Sequence, residues 1–484
     1  MPRSQRPGRC PPGRGPASEA CGLVPARRAR PRSMDGCAII SAHDEAATLN
    51  PCSWIRRWRH RGLGVLAAGW LGVMLAGCAV APPKQPPGEP AWVAAWGSAQ
   101  LVAPQAPAAP LWRSPMRDLS LRQIVRVSTA GSAVRVRVSN LFGHEPLHLA
   151  AASVARVTGL APVPSIDAAS RQPLRFAGQR DVVVPAQAEV WSDPVALAVA
   201  AGADVAVQWQ VRSGPAQATV HPGSRIRSWA VAGDAADEAA WSQAQPSEGW
   251  WHLAALDVQS AVAPPVLVAT GDSITDGYGV PSGSYTRWTD VLTQRLIEAA
   301  QPAAVVNTGI GGGRLLRDGA GPSLVSRFER DVLARTGVTH AMVLIGVNDL
   351  GTSHRGQATT PASRAALLAE LQAGFTDLAR RARARGVCLI VATVMPYGGS
   401  GYYAPQPENE ADRQTLNAWL REPDRFDALL DADALMRDPA RPSHLRAEVD
   451  HDGLHPSLAG YRAMAEAFPL GLLQRRCPPL LNAP

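Results

Sequence analysis

The sequence predicts an α/β protein in two parts: a parallel, doubly wound sheet in the C-terminal half, behind an all-β sandwich or jelly-roll-like accessory domain. Three observations predict this. Short apolar runs near 266–270, 303–307, 340–345, 387–393 and 426–430 alternate with amphipathic stretches near 285–300, 323–335, 361–385, 410–421 and 457–468, the rhythm of strand–helix–strand units. From Trp92 to about Ser260 the periodicity is two, and no long helical window occurs. Between them stands Ala261-Val262-Ala263-Pro264-Pro265, a linker by composition. The expected boundaries are 91–262 for the β domain and 263–476 for the α/β domain.

Taken in order, residues 1–55 are rich in Pro, Arg, Gly and Ala without periodicity, which predicts disorder or a start codon placed too far upstream. Residues 56–77 begin with Arg56-Arg57-Trp58-Arg59-His60-Arg61 and continue through sixteen uncharged residues, Gly62 to Gly77. That run is short for a membrane span and has the layout of a secretory signal. It ends Leu75-Ala76-Gly77-Cys78, which resembles the lipobox of bacterial lipoproteins, whose cysteine is lipidated and becomes the first mature residue. No aspartate follows Cys78, which by the same resemblance implies an exported lipoprotein of the outer membrane or periplasm. A signal peptide with a chance cysteine is the alternative. Residues 78–90 would then be a Pro-rich tether.

The formal charge of +8 suggests a polyanionic partner, but its location removes that reading. Residues 1–77 hold twelve arginines and four acidic residues, and the remaining 36 basic and 36 acidic residues cancel. No nucleic-acid partner is expected. Lys84 is the only lysine, which excludes Ser-Lys catalysis, Schiff-base chemistry and a lysine-bearing phosphate loop. The seven cysteines show no C-x-x-C spacing, so no cysteine-built zinc site is expected. Cys388 falls in a predicted buried strand and reads as a free, inert thiol, with a disulfide to Cys477 as the alternative.

In the β domain, Val134, Val136 and Val138 alternate with Arg135, Arg137 and Ser139, and Val205, Val207, Trp209 and Val211 form a second alternating run. Shorter strands are expected at 121–128, 180–184, 225–231 and 250–258. Trp209, Trp229, Trp250 and Trp251 could line a sugar platform, but core packing is the expectation.

The chemistry centres on Val266-Leu-Val-Ala-Thr-Gly-Asp-Ser-Ile-Thr-Asp-Gly277, a buried strand running into a polar turn. A serine at the carboxyl end of a parallel strand stands where open α/β sheets bind ligands, so Ser273 is the candidate nucleophile. Such a serine needs a base, a group to orient it, and donors for an oxyanion. Asp452 and His455, in Asp450-His-Asp-Gly-Leu-His-Pro456, are spaced to hydrogen-bond within one turn. Reading His451 and His455 as a metal pair fails on the missing Glu and on Gly453 and Pro456, which oppose a helix. Asn307-Thr-Gly-Ile-Gly-Gly-Gly-Arg314 lacks phosphate-loop spacing but offers backbone amides, and Asn348 in Gly346-Val-Asn-Asp349 offers either a side-chain donor or a turn residue.

Together Gly271-Asp-Ser273, the Gly309–Gly313 loop, Gly346-x-Asn-Asp349 and Asp452-x-x-His455 resemble the blocks of the SGNH (GDSL-type) hydrolases, over about residues 266–470. The segments Trp92–Gln100 and Leu121–Gly143 are similar to a β extension carried by some secreted bacterial members. The resemblance implies a flavodoxin-like three-layer α/β/α sheet. It also implies Ser273 as nucleophile, His455 as base, Asp452 as its orienting group, and an oxyanion hole from the Ser273 backbone, Gly312 and the Asn348 side chain. Gly312 is placed five after Asn307, to within one residue. The G-x-S-x-G elbow of classical lipases is absent. The expected function is hydrolysis of short acyl esters through an acyl-enzyme, with a small-molecule or oligosaccharide ester such as an acetylated carbohydrate as substrate and no cofactor. A lysophospholipase, short-chain lipase or acyltransferase would use the same triad. A non-catalytic, glycan-binding surface lipoprotein is the alternative of another class.

Overall fold

The computed structural model describes residues 90–104, 110–160, 162–355 and 358–478. The upstream stretch, the signal-like segment, Cys78 and the tether up to residue 89 lie outside the described residues.

The five expected apolar runs of the C-terminal half form one parallel sheet, in the order Ala304–Gly309, Val266–Gly271, His340–Leu344, Cys388–Ala392, Ala428–Leu430. In chain order this is 2-1-3-4-5, the flavodoxin-like arrangement. Val266–Gly271 is buried at every position, which is why it reads as a continuous apolar run. The helices that cover or flank the sheet are α1 (Ser273–Asp276), α2 (Trp288–Glu298), α3 (Leu324–Phe328), α4 (Val347–His354), α5 (Pro361–Ala384), α6 (Pro407–Leu420), α7 (Ala432–Met436) and α8 (Leu458–Ala467). In α5, Thr360 caps the first turn by accepting from Ser363 N–H, and Pro361 takes the first helical position. Its buried face is Leu367, Leu371, Phe375, Leu378 and Ala382, a three-to-four spacing.

Three elements depart from the sequence reading. The helix expected over 323–335 is α3 followed by a π turn, Glu329–Leu333. That turn carries Asp331, buried among Arg327, Arg330 and Arg335. The turn expected at Gly346–Asp349 instead opens α4, with Gly346 at φ 116° as its cap. The thirteen-residue strand Leu147–Gly159 escapes period-two reading because Ala150, Ala151 and Ala152 blur its alternation.

The N-terminal part is built of antiparallel sheets. One joins Ala91–Gly97, Leu253–Ser260, Gly131–Ser139 and Val195–Val199, and another is centred on Arg117–Arg126, Asp204–Ser213 and Leu147–Gly159. The four tryptophans are buried, Trp209, Trp250 and Trp251 in the main core and Trp229 in a small satellite cluster. They pack the fold and form no exposed platform.

A single hydrophobic core runs through both parts, from Ala91 to Leu473. Hydrogen bonds cross between them: Ala94 N–H donates to Thr336 O at 2.9 Å, Val305 N–H to Ser128 Oγ at 3.0 Å, and the buried Arg335 to Ala254 O at 2.9 Å and Ser98 O at 2.8 Å. The free-thiol expectation for Cys388 is corrected: Cys388 is joined to Cys477. The segment after α8 turns back so that Leu472 and Leu473 are buried, which brings Cys477 to the start of the Cys388 strand.

Candidate active site

Ser273 heads α1 directly beyond the strand Val266–Gly271. The chain turns sharply because Gly271 passes the neighbouring strand so closely that a Cβ there would stand 2.0 Å from Leu344 O. Asp272 caps α1 by accepting from Ile274 N–H at 3.0 Å, and Gly277, at φ 91°, ends it. Burial pushes the Asp272 carboxyl up to about 7.

The turn before α8 delivers the other two groups. Ser273 Oγ lies 2.8 Å from His455 Nε2, and His455 Nδ1 lies 2.9 Å from Asp452 Oδ2. Asp452 is itself fixed from its own turn, accepting from His455 N–H at 2.8 Å and Leu454 N–H at 3.2 Å. Burial acts to raise the Asp452 carboxyl, but these hydrogen bonds and the imidazole outweigh it and hold it below the ordinary value. At His455 burial wins: desolvation lowers the imidazole despite Asp452, which favours the neutral ring. Both ring nitrogens are committed to Ser273 and Asp452, which leaves none to share a metal with His451. Tyr278 stacks on the His455 ring, centroids 4.0 Å apart.

The glycine loop and Asn348 face the same place. Asn307 pins the loop to the turn that carries Ser273, donating to Thr275 O at 2.6 Å, while Gly309 N–H donates to Asn307 Oδ1 at 2.9 Å. Gly312 adopts φ 71° and lines the cavity with Gly311. Asn348 Nδ2 donates to Gly313 O at 2.8 Å and its Oδ1 accepts from Tyr403 OH at 2.6 Å, so one amide N–H remains for a ligand. Asp349 accepts from Leu315 and Leu316 N–H at 2.8 and 3.1 Å and so anchors the far end of the glycine loop. Burial pushes its carboxyl up to about 6.

The structure thus brings together Ser273, Asp452 and His455, and places Gly312 and Asn348 with them on the wall of one open cavity of about 670 Å³. Sequence reading missed three groups. Tyr403 orients Asn348. Buried Arg327 ties two strand ends by donating to Gly271 O at 2.9 Å and Thr308 O at 2.7 Å. Tyr278 was hidden in an unremarkable loop; its nearness to Ser273 in sequence was the one available signal.

Residues 269–463 match the family model described as GDSL-like lipase/acylhydrolase. No curated protein matches the chain. Similar solved structures include an acetylxylan esterase from Geobacillus stearothermophilus (21% identity, 44% of this chain and 96% of that one, TM-score 0.32). Others are a GDSL-like lipase from Bacteroides thetaiotaomicron (16%, 42% and 84%, 0.31) and an alpha/beta hydrolase enzyme from the metagenome of Lake Arreo, Spain (19%, 43% and 95%, 0.32). With the parallel sheet, the blocks and the family match in agreement, residues 269–463 are a GDSL-like (SGNH) esterase/acylhydrolase domain, preceded by an N-terminal β-rich region.

Proposed function

We propose that the protein hydrolyses short acyl esters of a polar alcohol, such as an acetylated carbohydrate, through an acyl-enzyme on Ser273. The observation that carries the reading is the unbroken line Asp452–His455–Ser273, at 2.9 and 2.8 Å, opening on one cavity. His455 takes the Ser273 proton as Oγ attacks the ester carbonyl and returns it to the departing alcohol; water then repeats the sequence on the acyl-enzyme. The oxyanion is met by the Ser273 and Gly312 N–H groups and by the free N–H of Asn348.

The cavity wall favours a short acyl chain. A long chain needs a continuous aliphatic lining, whereas here Leu454 and Ala320 are the only aliphatic residues among the described lining. The rest of its apolar surface comes from the rings of Tyr278, Tyr402 and Tyr403, broken by glycines, Ser400, Thr352 and Asn348. Exposed Tyr278 and Tyr402 stand at the cavity and offer ring faces to a sugar. The chain is also proposed to be exported and held on a membrane by a lipidated Cys78. The signal-like segment supports this, and so does the Cys388–Cys477 bond, of a kind that persists in oxidising compartments.

The test is Ser273→Ala assayed on p-nitrophenyl acetate, butyrate and octanoate and on acetylated xylo-oligosaccharides. Wild-type activity should fall as the acyl chain lengthens, and the variant should lose several orders of magnitude while keeping its circular dichroism. Turnover surviving in folded Ser273→Ala would overturn the assignment, and a preference for octanoate would overturn the short-acyl reading.

A further inference from the structure

The β-rich region reaches the nucleophile turn itself. Asp276, the last residue of α1, is buried, and its Oδ1 lies 3.0 Å from Nε2 of His221, a buried residue of the strand Thr219–His221. The other ring nitrogen, Nδ1, lies 2.7 Å from Ala99 O. A carbonyl oxygen only accepts, so Nδ1 carries a proton. Nε2 therefore meets Asp276 either as a second N–H or as the acceptor of a carboxyl proton, and in both cases one proton is held between the two side chains. Arg225, from the loop that follows, reaches Asp276 Oδ2 at 3.5 Å, and Trp250 stacks on the His221 ring with centroids 5.6 Å apart. Gly223 packs so tightly on the carboxylate that a Cβ there would stand 2.0 Å from Asp276 Oδ2.

A helix of four residues does not hold its own shape in water. Its beginning is fixed by the Asp272 cap, and its end is held from two sides, by Asn307, which donates to Thr275 O at 2.6 Å, and by the bond of the Asp276 side chain to the β-rich region. A buried polar pair of this kind costs desolvation that well-packed apolar residues would avoid, so packing alone does not account for it. What it secures is a direction. The turn carrying Ser273 is clamped to a strand 55 residues upstream, while His455 approaches from the C-terminal side. A displacement of about 1 Å at such a nucleophile costs on the order of a hundredfold in rate.

We propose that His221 is a positioning residue for the esterase reaction: through its hydrogen bond to Asp276, the β-rich region holds the nucleophile turn in register with His455. The inference rests on the reading of Ser273 as nucleophile.

The experiment compares Asp276→Ala, Asp276→Asn, His221→Phe and the double variant Asp276→Ala/His221→Phe in the full chain, with turnover normalised by the burst of p-nitrophenol. Asp276→Ala and His221→Phe should each lower kcat about tenfold or more with KM within about twofold, and the double variant should lose no more than the worse single one. Asp276→Asn, whose amide still donates to Nε2, should keep kcat within about threefold of wild type. If His221→Phe fails to fold, Asp276→Ala decides alone, because a neutral imidazole tolerates the lost partner. Unchanged kcat in Asp276→Ala, additive losses in the double variant, or Asp276→Asn as impaired as Asp276→Ala would each overturn the proposal. Ser273→Ala run beside them separates the two readings: if it is inactive while Asp276→Ala is fully active, only the positioning role falls.

Discussion

Tyr403 donates its hydroxyl to Asn348 Oδ1 across 2.6 Å, and this bond fixes the amide so that the N–H left free belongs to Nδ2. Tyr403 is buried, and burial keeps its phenol protonated far above neutrality, so it acts as a fixed donor. With Asn348 as the proposed oxyanion donor, Asn348→Ala should lower kcat by about a hundredfold or more with little change in KM, since such a charge exists only in the transition state. It should also cost about 1–3 kcal/mol of stability, because Tyr403 OH and Gly313 O lose a partner. Tyr403→Phe should have the milder effect, a kcat loss of about tenfold or less from a loosened amide. Steady-state kinetics per folded molecule, beside thermal melts, checks both. Equal losses in the two variants would mean that Asn348 serves the scaffold.

The pH dependence follows from His455. Burial depresses its imidazole, and as the proposed base it must be neutral, so activity should be present above its folded-state value and lost as pH falls through it. The acid limb of kcat/KM should therefore lie below the ordinary imidazole value of about 6.5. In Asp452→Asn the carboxylate that raises His455 is gone, so the limb should move further toward acid while kcat falls by orders of magnitude. A pH–rate profile whose limb moves toward neutrality in that variant would contradict the pairing.

Cys388 opens its strand, while Ser273 follows the carboxyl end of a strand parallel to it, so the disulfide and the candidate site lie at opposite edges of the sheet. Cys477→Ser should lower the unfolding free energy by about 2–4 kcal/mol and leave kcat at ambient temperature unchanged. Denaturant titration with and without a reductant measures the first, and a standard ester assay the second. A variant of unaltered stability would show that the bond does not form in solution.

Lipidation of Cys78 predicts that the exported protein labels with palmitate and partitions with membranes, and that Cys78→Ser is released or misprocessed. Metabolic labelling followed by fractionation checks it. Unlabelled, soluble mature protein would exclude the anchor.

The elements legible in the sequence were those whose signal is local. Five apolar runs gave five parallel strands because strands covered on both faces leave no room for polar alternation. Asp452 and His455 could be paired on paper because their contact closes within one turn, and Ser273 because it follows a strand end. What stayed hidden depends on chain closure. Tyr403 finds Asn348 across 55 residues, Arg327 joins two strand ends it does not neighbour in sequence, and Cys477 returns across 89 residues to Cys388. No spacing rule foretells such meetings. The π turn at Glu329–Leu333 was hidden for another reason: it keeps a helical pattern of side chains, and a single added residue per turn leaves little trace in periodicity.

The core that runs without a break from Ala91 to Leu473 has a consequence for what counts as a unit of inheritance. A segment cut at the family boundary, residues 269–463, would bare apolar surface of the core it shares with the β-rich region, Gly337 beside Val93 included, and would strand the Arg335 guanidinium without Ser98 and Ala254. Melting should accordingly be one cooperative event. Chimeras that exchange the esterase module should succeed only when the β-rich partner travels with it.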